Sequence, residues 1–519
     1  MKTKNLPRLY VLVFLTAFGL AGLVGYFQSS SLAQKASSLS GNWAVKTQRA
    51  DGTWSKQYFN LKQDGQAIRG TIRSTQFFYT ITDSTGDSNG FSVTASMKDG
   101  KSDRTVKYDG KLVGDELRLS TRRRPEDKPT ESVALRVPDG EGAMPARLPL
   151  PAIRKIPDNK LAKTPPMGWN SWNLFKGRVN DEIVRGIADA MVTSGMRDAG
   201  YIYVNIDDTW EGEARDAAGN ITTNSKFPNM KSLADYVHSK GLKLGIYTSP
   251  GPNTCAGYEG TYGHEEQDAK TFAAWGIDYV KYDWCGARTI YTDEEMPAVY
   301  QKFGEALQKT GRPIIYSLCQ YGRLDVWKWG PDVGGNLWRT TGDISDRWDS
   351  MTRIGFSQNE LSPFSRTGHW NDPDMLEVGN GGMTADEYRT HMSLWAMLAA
   401  PLLAGNDIRN MTAETKSILM NADVIAIDQD SLGRQGKRVW QQGEQEIWVR
   451  ELSGGAKAVA VFNRGTASKE VTVPWSEIGF SKSPKKTKDI WANADVHIGS
   501  GDFKVTVPTH GVTLLQIKK

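Results

Sequence analysis

Histidine and cysteine are scarce in this chain of 519 residues, and each shortage removes a class of chemistry. Six histidines are scattered as His238, His264, His369, His391, His497 and His510 with neither an HExxH motif nor paired spacing, so no catalytic metal is expected. No GxSxG elbow offers a serine nucleophile. No Gly-rich phosphate loop follows the first candidate strand of the alternating region, and the GNGGM run at Gly379 to Met383 comes late and lacks the spacing, which weighs against a doubly wound sheet; no cofactor is expected. Three cysteines allow one disulfide in an oxidising compartment. Cys255 with Cys285 is one candidate pair, leaving Cys319, but the sequence does not fix the pairing. Charge of one sign is lacking too: 64 basic residues against 59 acidic leave +5, too small and dispersed an excess to argue for nucleic acid. The densest basic run, Arg122 to Arg124, is followed by Glu126 and Asp127 and reads as a solvated turn.

What is present is globular composition, 39% hydrophobic and 24% charged, with length for about three units. The 17 tryptophans are well above ordinary usage, and indole faces suit stacking on sugar rings, although most tryptophans in any protein are core. One apolar run, from about Val11 to Gly25, follows Lys2, Lys4 and Arg8 and precedes Ser31-Leu32-Ala33, a small-x-small cleavage site. Residues 1–33 therefore read as an export signal. An uncleaved anchor is the alternative, but the run is short for a span and Gly-rich. The protein is expected to be secreted or periplasmic, with no stable membrane insertion after cleavage.

Residues 40–138 carry short strand-like runs (TWSKQYFNL, AIRGTIR, FSVTASM, RTVKYDGKLV, ELRLSTR) between DG, GD and NG turn pairs, which predicts a small antiparallel barrel or sandwich with an accessory role. A segment at 139–162 containing Pro145, Pro149, Pro151 and Pro157 reads as a linker. Over 163–435 the rhythm becomes strand, helix, strand, helix. The candidate strands are MGWNSW (Met167 to Trp172), YVNID (Tyr203 to Asp207), LKLGIYT (Leu242 to Thr248), DYVKYD (Asp278 to Asp283), PIIYSLC (Pro313 to Cys319), NLWRT (Asn336 to Thr340), GHWNDPDM (Gly368 to Met375) and PLLAG (Pro401 to Gly405). Between them lie helical patterns such as DEIVRGIADAMVTSGM, with Ile183, Ile187 and Met191 in register, and TADEYRTHMSLWAML, opened by a Thr384–Glu387 capping box. Eight such alternations in roughly 270 residues predict an α/β fold, the TIM (β/α)8 barrel. Residues 436–519 return to alternating strands and predict a C-terminal antiparallel β-sandwich packed on the barrel.

A TIM barrel carries its chemistry at the C-terminal ends of its strands. Those ends read Asp207-Asp208, Lys281 and Asp283, Gln320, Arg339, Asp343, Asp372 and Asp374, interleaved with Trp169, Trp172, Tyr247 and Trp284. Carboxylates and aromatics lining one bowl suit a sugar, whose apolar face stacks while its hydroxyls take forked hydrogen bonds. A single Asp at such a place is more often a helix cap, but six strands ending this way reduce the weight of that reading. With metal and serine chemistry unsupported, two carboxylates remain as acid, base and nucleophile, the logic of glycoside hydrolysis. In Tyr279-Val280-Lys281-Tyr282-Asp283, alternation turns Tyr279, Lys281 and Asp283 to the barrel axis and Val280 and Tyr282 to the helices. Lys281 would hold Asp283 ionised as a nucleophile; a structural ion pair is an equally good reading of the same pattern.

Longer motifs carry a family resemblance. TPPMGWNSWN from Thr164, NIDDTW at Asn205 to Trp210, LGIYTSPGPNTCAGYEGTYG at Leu244 to Gly263, KYDWC at Lys281 to Cys285, WRTTGDI at Trp338 to Ile344 and WNDPDML at Trp370 to Leu376 resemble glycoside hydrolase family 27, the α-galactosidase (melibiase) family. The likeness continues into AAPLLAGNDIRNM and IAIDQDSLGRQG and leaves the N-terminal module outside. It implies retaining hydrolysis of terminal α-galactosides, with oligo- or polysaccharide substrates, Asp283 as nucleophile and Asp343 as acid/base, about 5 Å apart. By position it also implies that Asp207 and Asp208 take the 4- and 6-hydroxyls, and that Lys281 and Arg339 take the ring hydroxyls. Trp172 and Tyr247 then form walls, Met375 lines the pocket, and Cys255 pairs with Cys285 beside it. Two adjacent aspartates cannot both face inward on a regular strand, so a turn between them is expected. Where many members have a glutamate in a CEW-type segment, this chain has Cys319-Gln320-Tyr321. Gln320 can still bond a 2-hydroxyl but is bulkier than the small residues that admit a 2-acetamido group. Asp208, shorter than a glutamate, leaves room for C6 and disfavours β-L-arabinopyranose, and the paired aspartates make α-glucans a weaker alternative. A binding protein that has lost catalysis would be expected to lose one of the two carboxylates, and a Schiff-base role for Lys281 conflicts with Asp283 two residues on.

Overall fold

The computed structural model describes residues 38–99, 102–480, 486–496 and 502–518. The expected export signal lies outside them. Among the described residues no helix is long and apolar enough to cross a membrane.

The N-terminal module is a closed antiparallel barrel of eight consecutive strands, β1 (Gly41–Gln48), β2 (Trp54–Asp64), β3 (Ala67–Ser74), β4 (Phe78–Asp87), β5 (Gly90–Asp99), β6 (Ser102–Val113), β7 (Glu116–Arg122) and β8 (Thr130–Arg136). Five strand-like runs were legible here. The other three were not: β1 buries Trp43, Ala44 and Val45 in succession, and β4 and β8 are mostly exposed, so none shows a clean apolar alternation. Closure comes from β1 pairing with β8 at Trp43–Arg136 and Ala44–Leu135, which leaves no free sheet edge. Alternate residues such as Phe59 and Leu61, Phe91 and Val93, and Leu117 and Leu119 point inward and fill the interior around Trp43 and Tyr108.

Residues 139–162 form no helix or strand: turns at 139–142 lead into chain pinned to the outside of the next unit. Tyr262 Oη accepts from the Leu148 amide at 3.0 Å, Gln301 Oε1 from the Arg154 amide at 2.8 Å, and the Asp332 carbonyl from the Ile156 amide at 2.7 Å.

The large unit is the eight-stranded parallel barrel: β9 (Met167–Asn170), β10 (Tyr203–Asn205), β11 (Lys243–Thr248), β12 (Tyr279–Asp283), β13 (Ile315–Cys319), β14 (Leu337–Arg339), β15 (Trp370–Asp372) and β16 (Leu402–Ala404). Sequential neighbours pair, β16 lies beside β9, and a parallel bridge between Leu376 and Ala404 closes the ring. All eight expected strands are present, but the first stops early: Trp172 opens a short helix, Trp172–Phe175, because the Asn170 side chain accepts from its amide at 2.8 Å and turns the chain. Helices α1 (Asp181–Thr193), α2 (Met230–Ser239), α3 (Glu265–Trp275), α4 (Met296–Lys309), α5 (Trp348–Gly355) and α6 (Ala385–Leu398) pack outside. In α1 the buried stripe is Val184, Ile187, Ala188 and Met191, so Ile183 sits at its margin. The Thr384–Glu387 capping box at the start of α6 forms in both directions.

The C-terminal region forms two facing antiparallel sheets, of six strands and two, around Ile447, Val459, Val471, Val507 and Leu515. It packs on the barrel through Arg450, whose buried guanidinium donates to the Asp428 carbonyl at 3.0 Å and to that of Ala396.

Candidate active site

The alternation of β12 decides which of its side chains meet. Val280 and Tyr282 face the helical layer, where Tyr282 stacks on Phe303 with ring centroids 4.2 Å apart. Tyr279 closes the barrel floor with Tyr203, Ile315 and Leu337, leaving Lys281 and Asp283 stacked above it toward the mouth. Lys281 Nζ lies 2.8 Å from Asp207 Oδ2, so its direct ion pair is with Asp207 and not with Asp283. Burial is the largest single effect on the Lys281 pKa and lowers it, but Asp207, Cys319 and Asp283 together outweigh it and hold the ammonium well above its usual range.

Asp283 is 4% exposed, and burial pushes its carboxyl up to about 6 against the opposing pull of Lys281 and a hydrogen bond from Tyr321. The expected cation is thus at work, but desolvation is the larger effect. Tyr321 Oη donates to Asp283 Oδ1 at 2.7 Å from a backbone position with φ of 63°. Asp343 also raises the Asp283 pKa, which puts the two carboxyls in electrostatic contact. Asp343 itself stands on the loop after β14 with 62% of its side chain exposed, its Oδ1 3.2 Å from Arg339. The Arg339 guanidinium is buried between Asp343 and Asp374, the latter at 2.8 Å, and its Nε has no protein partner among the described residues. Asp374 has φ of 101°, and burial pushes its carboxyl up to about 6 against the pull of Arg339.

On the opposite side, β10 ends at Asn205 and the chain turns, with Thr209 at φ of 87°, so that Asp207 and Asp208 both reach the mouth. Asn170 Nδ2 donates to Asp207 Oδ2 at 2.9 Å. Asp208 Oδ2 accepts from the Ala256 amide at 2.7 Å, and burial pushes this carboxyl up to about 7. Tyr247 is buried, with Lys281 Nζ 5.4 Å from its ring centroid and its hydroxyl 3.5 Å from Cys285 Sγ. Cys255 and Cys285 form a disulfide, Cα atoms 5.1 Å apart, and both sulfurs lie within 4.8 Å of an Asp283 oxygen. Those three residues are the group among the described ones whose ligand atoms cluster as for a metal, but bonded sulfurs are not thiolates and do not serve as such ligands. Cys319 is buried and free.

Residues 164–430 match the family model described as Alpha galactosidase A, and residues 442–517 that of the Alpha galactosidase C-terminal beta sandwich domain. The chain belongs to the α-galactosidase family. An α-galactosidase of Cyamopsis tetragonoloba is 47% identical over 361 residues, 69% of this chain and 87% of that one. Among solved structures, a putative alpha-galactosidase/melibiase from Bacteroides fragilis superposes with a TM-score of 0.67 at 34% identity, covering 84% of this chain and 93% of its own. The α-galactosidase of Saccharomyces cerevisiae, solved with raffinose, gives 0.65 at 30%, covering 70% and 100%. This glycoside hydrolase acts on galactosides.

Within the hydrolase, the structure brings Asp207, Asp208, Tyr247, Cys255, Lys281, Asp283, Arg339 and Asp343 to one end of the barrel. Met375 is buried behind Asp374, and Trp172 is half-buried on the first loop. Gln320 is fully buried and braces its own loop: Oε1 accepts from the Gly322 amide at 2.7 Å and Nε2 approaches the Arg339 carbonyl at 3.4 Å. Two of the four aromatics expected at the mouth belong elsewhere. Trp169 packs on Phe175 in the outer core and Trp284 stacks on Tyr300, because each points between strand and helices. Tyr321 and Asn170 are the contributors to these contacts that sequence reasoning did not single out, whereas Asp374 was among the strand-end carboxylates it named. Only the position of Asn170, at the end of a barrel strand, signalled it.

Proposed function

We propose that the hydrolase releases terminal α-linked D-galactose with retention of configuration, by double displacement on two aspartates. The observation that carries this reading is the pairing of a buried carboxylate, Asp283 on β12, with an exposed one, Asp343 beyond β14, close enough to perturb it. Asp283, ionised above about pH 6, attacks the anomeric carbon while protonated Asp343 gives its proton to the leaving oxygen. Asp343 then takes a proton from water, which breaks the glycosyl–Asp283 bond. Solvent reaches Asp343, as the second step requires, and burial keeps water from Asp283.

Asp207 and Asp208 take the axial 4-hydroxyl and the 6-hydroxyl, separating galactose from glucose. Lys281 fixes Asp207 and donates to a ring hydroxyl, Arg339 reaches the 2- and 3-hydroxyls, and Trp172 and Tyr247 wall the ring. Gln320 and Tyr321 fill the space beside the 2-position, which disfavours a 2-acetamido sugar. The raffinose carried by the yeast relative suits an oligosaccharide with terminal galactose. Export fits the Cys255–Cys285 disulfide, which an oxidising compartment preserves.

The test is a pair of variants, Asp283→Asn and Asp343→Asn, on an activated aryl α-galactoside. Each is expected to lose roughly a thousandfold or more in kcat, with azide restoring rate to one of them and NMR of the wild-type reaction showing α-galactose as the first anomer. Normal turnover by either variant, or β-galactose as first product, overturns the assignment.

A further inference from the structure

The eight-stranded N-terminal barrel lies outside both matched family models and sits against the rim of the catalytic barrel. An accessory β module on a glycoside hydrolase invites the reading of a separate sugar-binding unit, and its side chains argue otherwise. Among the described residues the interior is occupied by side chains, with Trp43, Phe59, Tyr108 and Leu117 at 2% exposure or less, as in a barrel filled by its own core. Of its two tryptophans Trp43 is inside, and Trp54 faces the catalytic unit with Gly257 against it. A Cβ built on Gly257 would come within 2.9 Å of the Trp54 Cβ. The Trp43 indole is closed off from solvent, and that of Trp54 is half-buried with Lys56 Nζ 5.4 Å from its ring.

The hairpin of β1 and β2 touches two loops that carry pocket residues. The Ala256 carbonyl accepts from the Trp54 amide at 2.7 Å, while the Ala256 amide donates to Asp208 Oδ2 at 2.7 Å. One residue thus joins barrel backbone to a sugar-binding carboxylate, next to the cystine beside Asp283. Tyr258 Oη donates to the Gly52 carbonyl at 2.7 Å at the hairpin tip, and Arg73 Nη2 reaches Asn253 Oδ1 at 3.1 Å. Gly177, on the turn after Trp172, lies so close to Asp51 that a Cβ there would stand 1.9 Å from its carbonyl oxygen.

We propose that the N-terminal barrel is a positioning element of the galactose pocket, clamping the Asn253–Tyr258 loop so that the Ala256 amide orients Asp208. This rests on the reading that Asp208 contacts galactose. The barrel acts through the loop and touches no reacting atom.

The experiment uses the full chain with Tyr258→Phe, which keeps the ring and removes the hydroxyl's bonds to the hairpin, at Gly52 and Gln48, and Arg73→Met as a second variant. Each is expected to raise the inhibition constant of free D-galactose and KM for an aryl α-galactoside by about three- to tenfold, with kcat changed less than about twofold. The same factor should appear on galactomannan. Unchanged galactose affinity in Tyr258→Phe overturns the proposal, whether or not thermal stability falls. A loss confined to galactomannan overturns it in favour of a binding module. A wild-type chain that releases no galactose removes the functional reading and this inference together, whereas an active wild type with unaltered variants removes this inference alone.

Discussion

Asp283 has two opposing demands placed on it: attack requires the carboxylate ionised, while the reaction requires the site dry. Burial raises its pKa to about 6, and Lys281 and the Tyr321 hydroxyl limit the rise. The acid limb of kcat/KM is therefore expected near pH 6, where the free enzyme loses its ionised nucleophile. Tyr321→Phe removes a bond that favours the charged form, so the limb should move upward by about half a unit to one unit, with a several-fold loss of rate at pH 5 and a smaller one at pH 8. A pH–rate profile superimposable on that of the wild type would show that Tyr321 only packs there. Tyr321 was invisible as a contributor in the sequence because its neighbour Gln320 occupied the position that the family pattern pointed to. The exchange follows from the turn: with Gln320 bonded to Gly322 and Tyr321 at positive φ, the tyrosine swings over the nucleophile. Lys281 is the converse case. Its presence on the axis followed from alternation alone, but its partner Asp207 comes from β10, and no local pattern announces that pairing.

At the scale of elements, the disulfide ties the loop after β11 to the tip of β12, two residues beyond the nucleophile. It closes a loop with a sequence separation of 30, and its removal by Cys255→Ser with Cys285→Ser is expected to cost about 3 kcal/mol in denaturant unfolding. Because Cys255 adjoins Ala256, the same variant should bind galactose more weakly. Unchanged stability together with unchanged galactose affinity would leave the cystine without a role in either. The eight catalytic strands were legible because they are short apolar runs bounded by turn residues, and a strand buried on both sides needs no other signal. Their ends were less legible. Trp172 was read as strand, but the Asn170 side chain caps its amide and starts a helix, a contact between polar groups that hydrophobic periodicity does not record. The N-terminal strands β4 and β8 were missed for the opposite reason: exposed on one side and irregular on the other, they exist because closing the barrel satisfies their backbone groups.

For the whole molecule, several carboxyls are buried with raised pKa: burial takes Asp208 and Glu377 up to about 7 and Asp428 up to about 8. A folded-state pKa above the unfolded one means that the native state binds more protons, so the associated stability is complete at low pH and is lost as pH rises through the folded value. Below pH 6.5 buried His391, lowered to about 3 by desolvation, acts in the other sense. Above about pH 8 the partly buried Lys226, lowered to about 8 by desolvation, also opposes the trend. The interval from pH 6.5 to 8 isolates the carboxyls, and stability should fall across it by roughly 2–3 kcal/mol. Thermal or denaturant unfolding at those two pH values tests this, and a rise in stability would mean that these carboxyls are charged in the fold.

The order of strands and helices, the barrel they build and the acidic side chains at its mouth were determined by the sequence alone, but not which aromatics reach it, since Trp169 and Trp284 turn into the core. Periodicity and chain order are local properties, and the family motifs lie within short stretches. Which charge meets which was left to the tertiary structure: Lys281 with Asp207, Arg339 with Asp374, Tyr321 over Asp283, and a barrel some two hundred residues upstream bonded to the peptide that holds Asp208. Such contacts join residues distant in sequence across a cavity or an interface. Their partners are chosen by distance and desolvation, and neither exists until the chain has folded.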